Sequence, residues 1–330
     1  MNFYQANAFG LGGIFTRPLK DTLQSQAVVC LPSSGGHNFS SVENFSFHGL
    51  VSFRRAYAEV GGSFDECHNV YTSYSHSVIE GLNIADMVTA DRVVCRVAAY
   101  SPQVDGLEGG EYSFSITGSY FEKLRIAGHA IDVRLATDVF HQYDTYSKAN
   151  RAYKAGKADE WLPGSKLSNL NDSKLAELED TYHALRGISE RVREWKQRRN
   201  RQSDQDTYLF SPANHLKLED DVGSKADLSS FGAIILVPKF GVVRLADLLV
   251  QRSNRQLIML RVEMGSPMEG TITGNSSQAG GYLLSEGRSE KGRSVSHPIH
   301  PVKTSTVRCT PEVRQKIYPT DVIVNSEPLI

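Results

Sequence analysis

Segment after segment between residues 26 and 135 alternates apolar with polar side chains and is rich in β-branched and aromatic residues. A period of two puts successive side chains on opposite faces of a strand, so this texture commits the region to sheet with one buried face. The strand-like stretches are residues 44–53, 70–84, 89–100, 112–117 and 120–135. Glycines at Gly61, Gly62, Gly81, Gly109, Gly110, Gly118 and Gly128 read as the joints between them. The run Leu124-Arg125-Ile126-Ala127-Gly128-His129-Ala130-Ile131-Asp132-Val133 alternates on both sides of an Ala-Gly-His tip and predicts a hairpin. Residues 1–13 are apolar and glycine-rich, with no basic leader and no small-residue cleavage site, and predict a first strand or an arm.

The texture turns helical from Asp138 to about Arg201. An earlier helix is predicted over 139–154, and Trp161-Leu162-Pro163-Gly164-Ser165 supplies a breaker after it. Asp172-Ser173 then caps a second helix, whose stripe is Leu175, Leu178, Tyr182, Leu185, Ile188, Val192 and Trp195. Its acidic residues come early and its basic ones late, which suits the helix dipole. Strand texture returns at 233–237, 242–250 and 256–264, with 271–273 continuing the set. Residues 274–303 are rich in Gly, Ser and charge and predict a long mobile loop, and 321–325 predict a strand closing a sheet edge.

These patterns give a mainly β fold (α+β by content): a β-sandwich with an inserted helical hairpin. Residues 1–137 form its first half, 138–205 the hairpin, and 206–330 the second half. With 330 residues, 40% of them apolar, the chain can fill such a core. Leu82–Val88 echoes Val243–Leu249 around a shared Ala-Asp core, but one short match at no fixed period is chance rather than duplication. The Asn-x-Ser/Thr triplets at Asn38, Asn44, Asn171 and Asn275 are likewise read as chance.

Charge and cysteine usage narrow the function. A formal net charge of −1 argues against nucleic acid as a partner, and no apolar stretch is long enough for a transmembrane helix. None of the cysteines, Cys30, Cys67, Cys95 and Cys309, forms a Cys-x-x-Cys pair. Reduced thiols in a cytoplasm are therefore expected, with Cys95 buried in the run 93–97 and a Cys30–Cys67 pair left open.

Side-chain chemistry offers several candidates. Cys67 and His68, with His48 and His76 near in sequence, supply ligand types suited to a transition metal, or to hydrolytic chemistry. Their spacing is not that of a paired zinc site, and the ordinary reading is a polar loop followed by a solvent-facing strand histidine. His297-Pro298-Ile299-His300-Pro301 is extended by its prolines, which turns its histidines to opposite faces. Gly10-Leu11-Gly12-Gly13 and Ser33-Ser34-Gly35-Gly36 match no phosphate-loop spacing and read as turns. The basic run 191–201, including Arg198 and Arg199, is a candidate anion-binding surface, weighed against a solvated helix end. The stripe residues Tyr182, Leu185, Val192 and Trp195 are candidates for self-association, weighed against packing on the chain's own sheet. No nucleophile motif is present, so an enzyme is the less favoured class and no cofactor is expected.

Two stretches carry a family likeness. Residues 78–97, VIEGLNIADMVTADRVVCRV, and residues 119–131, SYFEKLRIAGHAI, resemble the strand pairs of bacterial choice-of-anchor-type β-sandwich surface domains. The resemblance covers about a sixth of the chain. It implies a β-sandwich and an interaction role, and it transfers no catalytic residue. The resulting expectation is a non-enzymatic binding or structural protein. It would engage a protein partner or a second copy through the helices or an open sheet edge. The alternative is a metal-binding or hydrolytic site around residues 48–76.

Overall fold

The computed structural model describes residues 2–102, 111–163, 165–200, 207–213, 216–219, 228–265 and 268–283. The chain opens with β1 (Asn2–Arg17), β2 (Asp21–Leu23) and β3 (Val29–Cys30). Four long strands follow: β4 (Gly36–Phe47), β5 (Val51–Asp65), β6 (Val70–Ile84) and β7 (Val88–Pro102). Short strands β8 (Ser113–Ser115), β9 (Tyr120–Glu122), β10 (Arg125–Ile126) and β11 (His129–Val133) lead to helices α1 (Thr137–His141), α2 (Tyr146–Lys154), α3 (Asp172–Thr181) and α4 (Ala184–Asn200). After the helices come β12 (Thr207–Phe210), β13 (Leu216–Glu219), β14 (Ser229–Phe231), β15 (Ile234–Val237), β16 (Gly241–Gln251), β17 (Asn254–Met264) and β18 (Glu269–Leu283).

Two antiparallel sheets result. Sheet I has the order β14-β15-β16-β17-β18-β1-β2, with β12 also on β16 and β3 also on β1. Sheet II has the order β13-β11-β10-β7-β6-β5-β4, with β8 and β9 also on β7. They pack face to face, β1 over β5 and β6, and β18 over β6 and β7. The mainly β sandwich with a helical insertion is thus the observed fold. The N-terminal strands β1–β3 join the sheet built by the later part of the chain, so the sheets do not divide as the sequence halves do.

Small residues fill the middle of the sandwich: Ala6 and Ala8 on β1, Ala56 and Ala58 on β5, and Ser73, Ser75 and Ser77 on β6 are all buried. A Cβ on Gly10 would lie 2.9 Å from that of Ala56, so the sheets approach here as only glycine permits. Polar side chains then reach the opposite backbone. The Ser77 hydroxyl donates to the Phe9 carbonyl (2.8 Å), Ser73 to Gly280 (2.8 Å) and Ser277 to Cys95 (3.0 Å). Asn275 Nδ2 donates to the Val93 carbonyl at 2.6 Å, and its Oδ1 shares the single Ser77 hydroxyl proton with the Phe9 carbonyl.

A transverse line crosses both sheets where the alternation changes parity. Asn44 in β4, Gly81 in β6, Ala246 in β16 and Asn275 in β18 have φ between 51° and 66°, and each is skipped by the ladder. In β16 the buried core positions pass from Val243 and Leu245 to Leu248 and Val250, and in β7 from Val88 and Ala90 to Val93 and Cys95. The sequence echo falls here without repeating structure. Ala85 and Asp86 turn the β6–β7 hairpin, whereas Ala246 kinks a strand interior.

Several sequence boundaries shift for physical reasons. Residues 44–53 are two strands, because Phe45 and Phe47 before the His48-Gly49 turn face the same core as Val51 and Phe53 after it. Gly61 and Gly62 lie inside β5 rather than at a joint. The region predicted as a loop from 274 is strand to Leu283, since Ser276, Ser277 and Gln278 are buried and hydrogen-bonded. The remainder of that loop, the strand predicted at 321–325 and the histidines His297 and His300 lie outside the described residues. The 125–130 hairpin forms, with Ala127 and Gly128 as a two-residue turn of positive φ.

Each predicted helix is broken. The first divides into α1 and α2, with Thr145 capping α2. The second divides at Tyr182, and its cap is Asn171, whose Oδ1 accepts from the Lys174 amide at 2.8 Å. An unbroken helix of that span would run about 40 Å. The break lets Leu175 of α3 and Leu185 and Ile188 of α4 share one apolar patch with Ile234, Leu236 and Val242. Cys67 and Cys95 are free thiols, so no Cys30–Cys67 pair forms, and Cys30 is disulfide-bonded rather than reduced.

Candidate binding surface

The outer face of sheet II is uncovered: among the described residues no helix makes substantial contact with β4, β5 or β6. Register places its side chains in rows across the strands. One row reads His37, Gly61, Tyr74, Ala98 and Ser115; the next reads Phe39, Glu59, His76 and Arg96. A third reads Ser41, Tyr57, Val78, Val94 and Tyr120, and a fourth Glu43, Arg55, Glu80, Arg92 and Glu122.

Each of the first three rows carries an aromatic ring. Phe39 is 46% exposed and Tyr120 40%. Phe39 and Tyr57 lie 6.3 Å apart, and Tyr57 meets His76 edge-on at 6.0 Å. The Arg55 guanidinium sits 5.1 Å from the Tyr57 ring centre, and Arg92 Nη2 donates to the Tyr57 hydroxyl at 3.2 Å. Tyr74 lies over Gly61, where an added Cβ would fall 2.2 Å from its ring, so glycine makes room for the aromatic.

The polar groups form a network. Tyr74 donates its hydroxyl to Glu59 Oε1 at 2.7 Å, and His37 Nε2 lies 3.0 Å from the same oxygen. Burial pushes the Glu59 carboxyl up, but the bonds from Tyr74 and His37 outweigh it and hold its pKa below the usual value. Burial and the bond to Glu59 raise Tyr74. His76 is lowered, chiefly by burial, with Glu59 opposing and Arg96 and Arg92 reinforcing. The fourth row is a ladder of alternating sign, with Arg55–Glu43 at 3.7 Å and Arg92–Glu80 at 3.4 Å. Such a face presents stacking rings and hydrogen-bonding groups.

The candidates read from sequence fall elsewhere. His48 sits in the β4–β5 turn, paired with Asp21 at 2.8 Å. Cys67 and His68 sit in the β5–β6 turn at the far end of the sheet, with His68 Nδ1 2.7 Å from Asp65. The two turns are a whole strand apart, about 50 Å at some 3.3 Å per residue. His76 lies midway along β6. These residues do not converge, and among the described residues no group of three or more His, Cys, Asp or Glu is placed to hold a metal. The glycines from Gly10 to Gly13 lie within β1 and wrap no phosphate.

The helical candidates resolve in part. Leu185 is fully buried, and Tyr182 packs on the same patch of β15 and β16. Leu185 therefore serves the chain's own core and is not free for self-association, while Tyr182 is half-buried on it. Val192, Trp195, Arg198 and Arg199 lie on α4, and their side chains are outside the described set. Of the sites weighed from sequence, His76 alone joins the aromatic face. Phe39, Tyr57, Glu59, Tyr74, Arg92, Arg96 and Tyr120 were not legible as a group, because only strand register brings them together.

No curated protein matches the chain, and no solved structure matches it. Residues 2–251 match the family model described as Domain of unknown function (DUF8256), and since that match takes in more than half of the sequence, the chain belongs to this family.

Proposed function

We propose that this is a non-enzymatic binding protein that assembles with a second copy of itself through sheet II, along the β4 edge and the aromatic face beside it. The observation that carries the reading is β4. It extends over 12 residues and, among the described strands, pairs with β5 alone. Its second edge therefore offers backbone donors and acceptors to another strand. Phe39 is exposed on the same strand, so a partner strand added there also covers an apolar ring. The parity change at Asn44 confines regular pairing to the portion before it.

Light scattering and sedimentation across a wide range of concentrations test this. A mass above that of the monomer is expected, rising with concentration and reverting in Phe39→Glu and Ser41→Lys. Both positions are exposed, so these variants retain the wild-type circular dichroism. A wild-type chain that stays monomeric throughout, or an assembly indifferent to both substitutions, refutes the reading.

A further inference from the structure

A cleft lies beside α1, and residues of both sheets line it. Phe114 and Ile116 come from β8 and the residues after it, Phe210, Leu248 and Val250 from sheet I, and Phe140 from α1. Counted out to its open mouth, the void is about 360 Å³, and its enclosed part holds little more than a water molecule. Thr137 and His141 add polar atoms to these walls, and the permanent cation among them is Arg255 of β17.

Arg255 is 2% exposed, and its guanidinium lies 4.3 Å from the Phe114 ring centre. Nη1 donates to the Gln251 carbonyl at 2.6 Å and reaches that of Asn254 at 3.4 Å, which ties down the β16–β17 turn. Nη2 is buried with no hydrogen-bond partner. No carboxylate of the described residues pairs with this cation. Glu111 and Asp144 act on it only through space, while Glu111 accepts from the Ser147 amide and Asp144 pairs with Lys148. A buried cation with an open N–H is an expensive arrangement, and proteins rarely retain one without a partner.

We propose that the cleft takes the carboxylate of a small amphipathic acid, with the acid group on Arg255 Nη2 and the apolar body against Phe114 and Phe140. A carboxylate supplies the missing acceptor as a charge-assisted bond and neutralises the guanidinium. The water-sized interior admits one carboxylate oxygen toward Nη2, and the wider aromatic mouth takes the rest of the acid with its planar or short aliphatic body. This site shares with the rows of sheet II only Ser115, which has no part in the proposed assembly, so either reading can fail alone.

The test is calorimetric titration of the full chain with benzoate, and with benzyl alcohol as the uncharged ligand of similar shape. Saturable binding of benzoate and none of the alcohol is expected. Arg255→Lys should weaken benzoate at least about tenfold, because a single ammonium cannot hold both the turn carbonyls and the ligand. Ile116→Trp fills the cleft while leaving Arg255 and its turn intact, and it too should abolish binding. Wild-type chain that fails to bind benzoate, binds the alcohol equally well, or binds benzoate unchanged in Ile116→Trp overturns the proposal.

Discussion

Replacing Asn275 with alanine should be among the most damaging single changes in the sandwich. The side chain is fully buried, donates to the Val93 carbonyl at 2.6 Å and accepts from the Ser77 hydroxyl, both on the opposite sheet. Each bond is worth about 1 kcal/mol net, and the void left by the amide at a fully buried position takes the loss to about 2–3 kcal/mol. The backbone adds a second cost, because φ is +56°, a region that asparagine tolerates and alanine enters only at about 1 kcal/mol. The sum is about 3–4 kcal/mol for Asn275→Ala. Asn275→Gly loses the same bonds but not the backbone freedom, so it should be milder by about 1 kcal/mol. Urea unfolding followed by circular dichroism measures both, with the slope unchanged if the transition stays two-state. A loss below about 0.5 kcal/mol for alanine, or glycine no better than alanine, would refute the claim that this residue ties the sheets together at a strained point.

Other expectations follow from the same structure. Gly61→Ala places a Cβ against the Tyr74 ring and should cost about 1–3 kcal/mol in urea unfolding, whereas Gly61→Ala combined with Tyr74→Ala should recover part of it. His76 has a folded pKa below the ordinary histidine value of 6.5, so the unfolded chain binds its proton first. Its contribution to stability is complete above pH 6.5 and is lost as pH falls through the folded pKa, and His76→Gln should flatten that limb of the stability curve. Burial pushes the Cys95 thiol up to about 12, while Cys67 is exposed, so iodoacetamide should label Cys67 and spare Cys95 until the chain is unfolded, as peptide mass mapping would show. Leu185→Ala should cost about 2–5 kcal/mol in thermal or urea unfolding, because it empties the patch beneath α4.

What the sequence disclosed, and what it hid, has a physical basis. Residues 70–84 and 89–100 were legible as strands because alternation survives over most of their length, and the observed strands agree closely. The 125–130 hairpin was legible from its turn. The parity change was not. At Gly81 the buried positions switch from Ile79 to Leu82, which a period of two reads as a break or a joint. Three of the Asn-x-Ser/Thr triplets hold structural asparagines: Asn44 and Asn275 take positive φ, and Asn171 caps α3. Local sequence marks them as unusual without saying why, since an asparagine in a turn, a cap or a kinked strand looks alike. The polar run Asn275–Gln278 reads as loop for a related reason. Its side chains are buried because small neighbours let the sheets close to hydrogen-bonding distance, a tertiary fact that composition opposes.

That close approach also bears on where function lies. In a sandwich seamed by Ala, Gly and Ser and bonded across its middle, a ligand or partner would have to be met at the edges, the ends or the outer faces. On the outer face of sheet II, Glu43, Arg55, Glu80, Arg92 and Glu122 alternate in sign, and two of their neighbouring pairs lie within 3.7 Å. Those charges largely satisfy one another, which leaves the rings of Phe39, Tyr57 and Tyr120 as the groups that gain most by being covered. Association through this face should accordingly weaken little as salt is raised. A surface that bound nucleic acid would release counterions and lose affinity by orders of magnitude over the same range. The salt dependence of the sedimentation profile therefore separates the two kinds of partner. A steep loss of assembly with salt would mean that the charge ladder, not the aromatic rows, carries the contact.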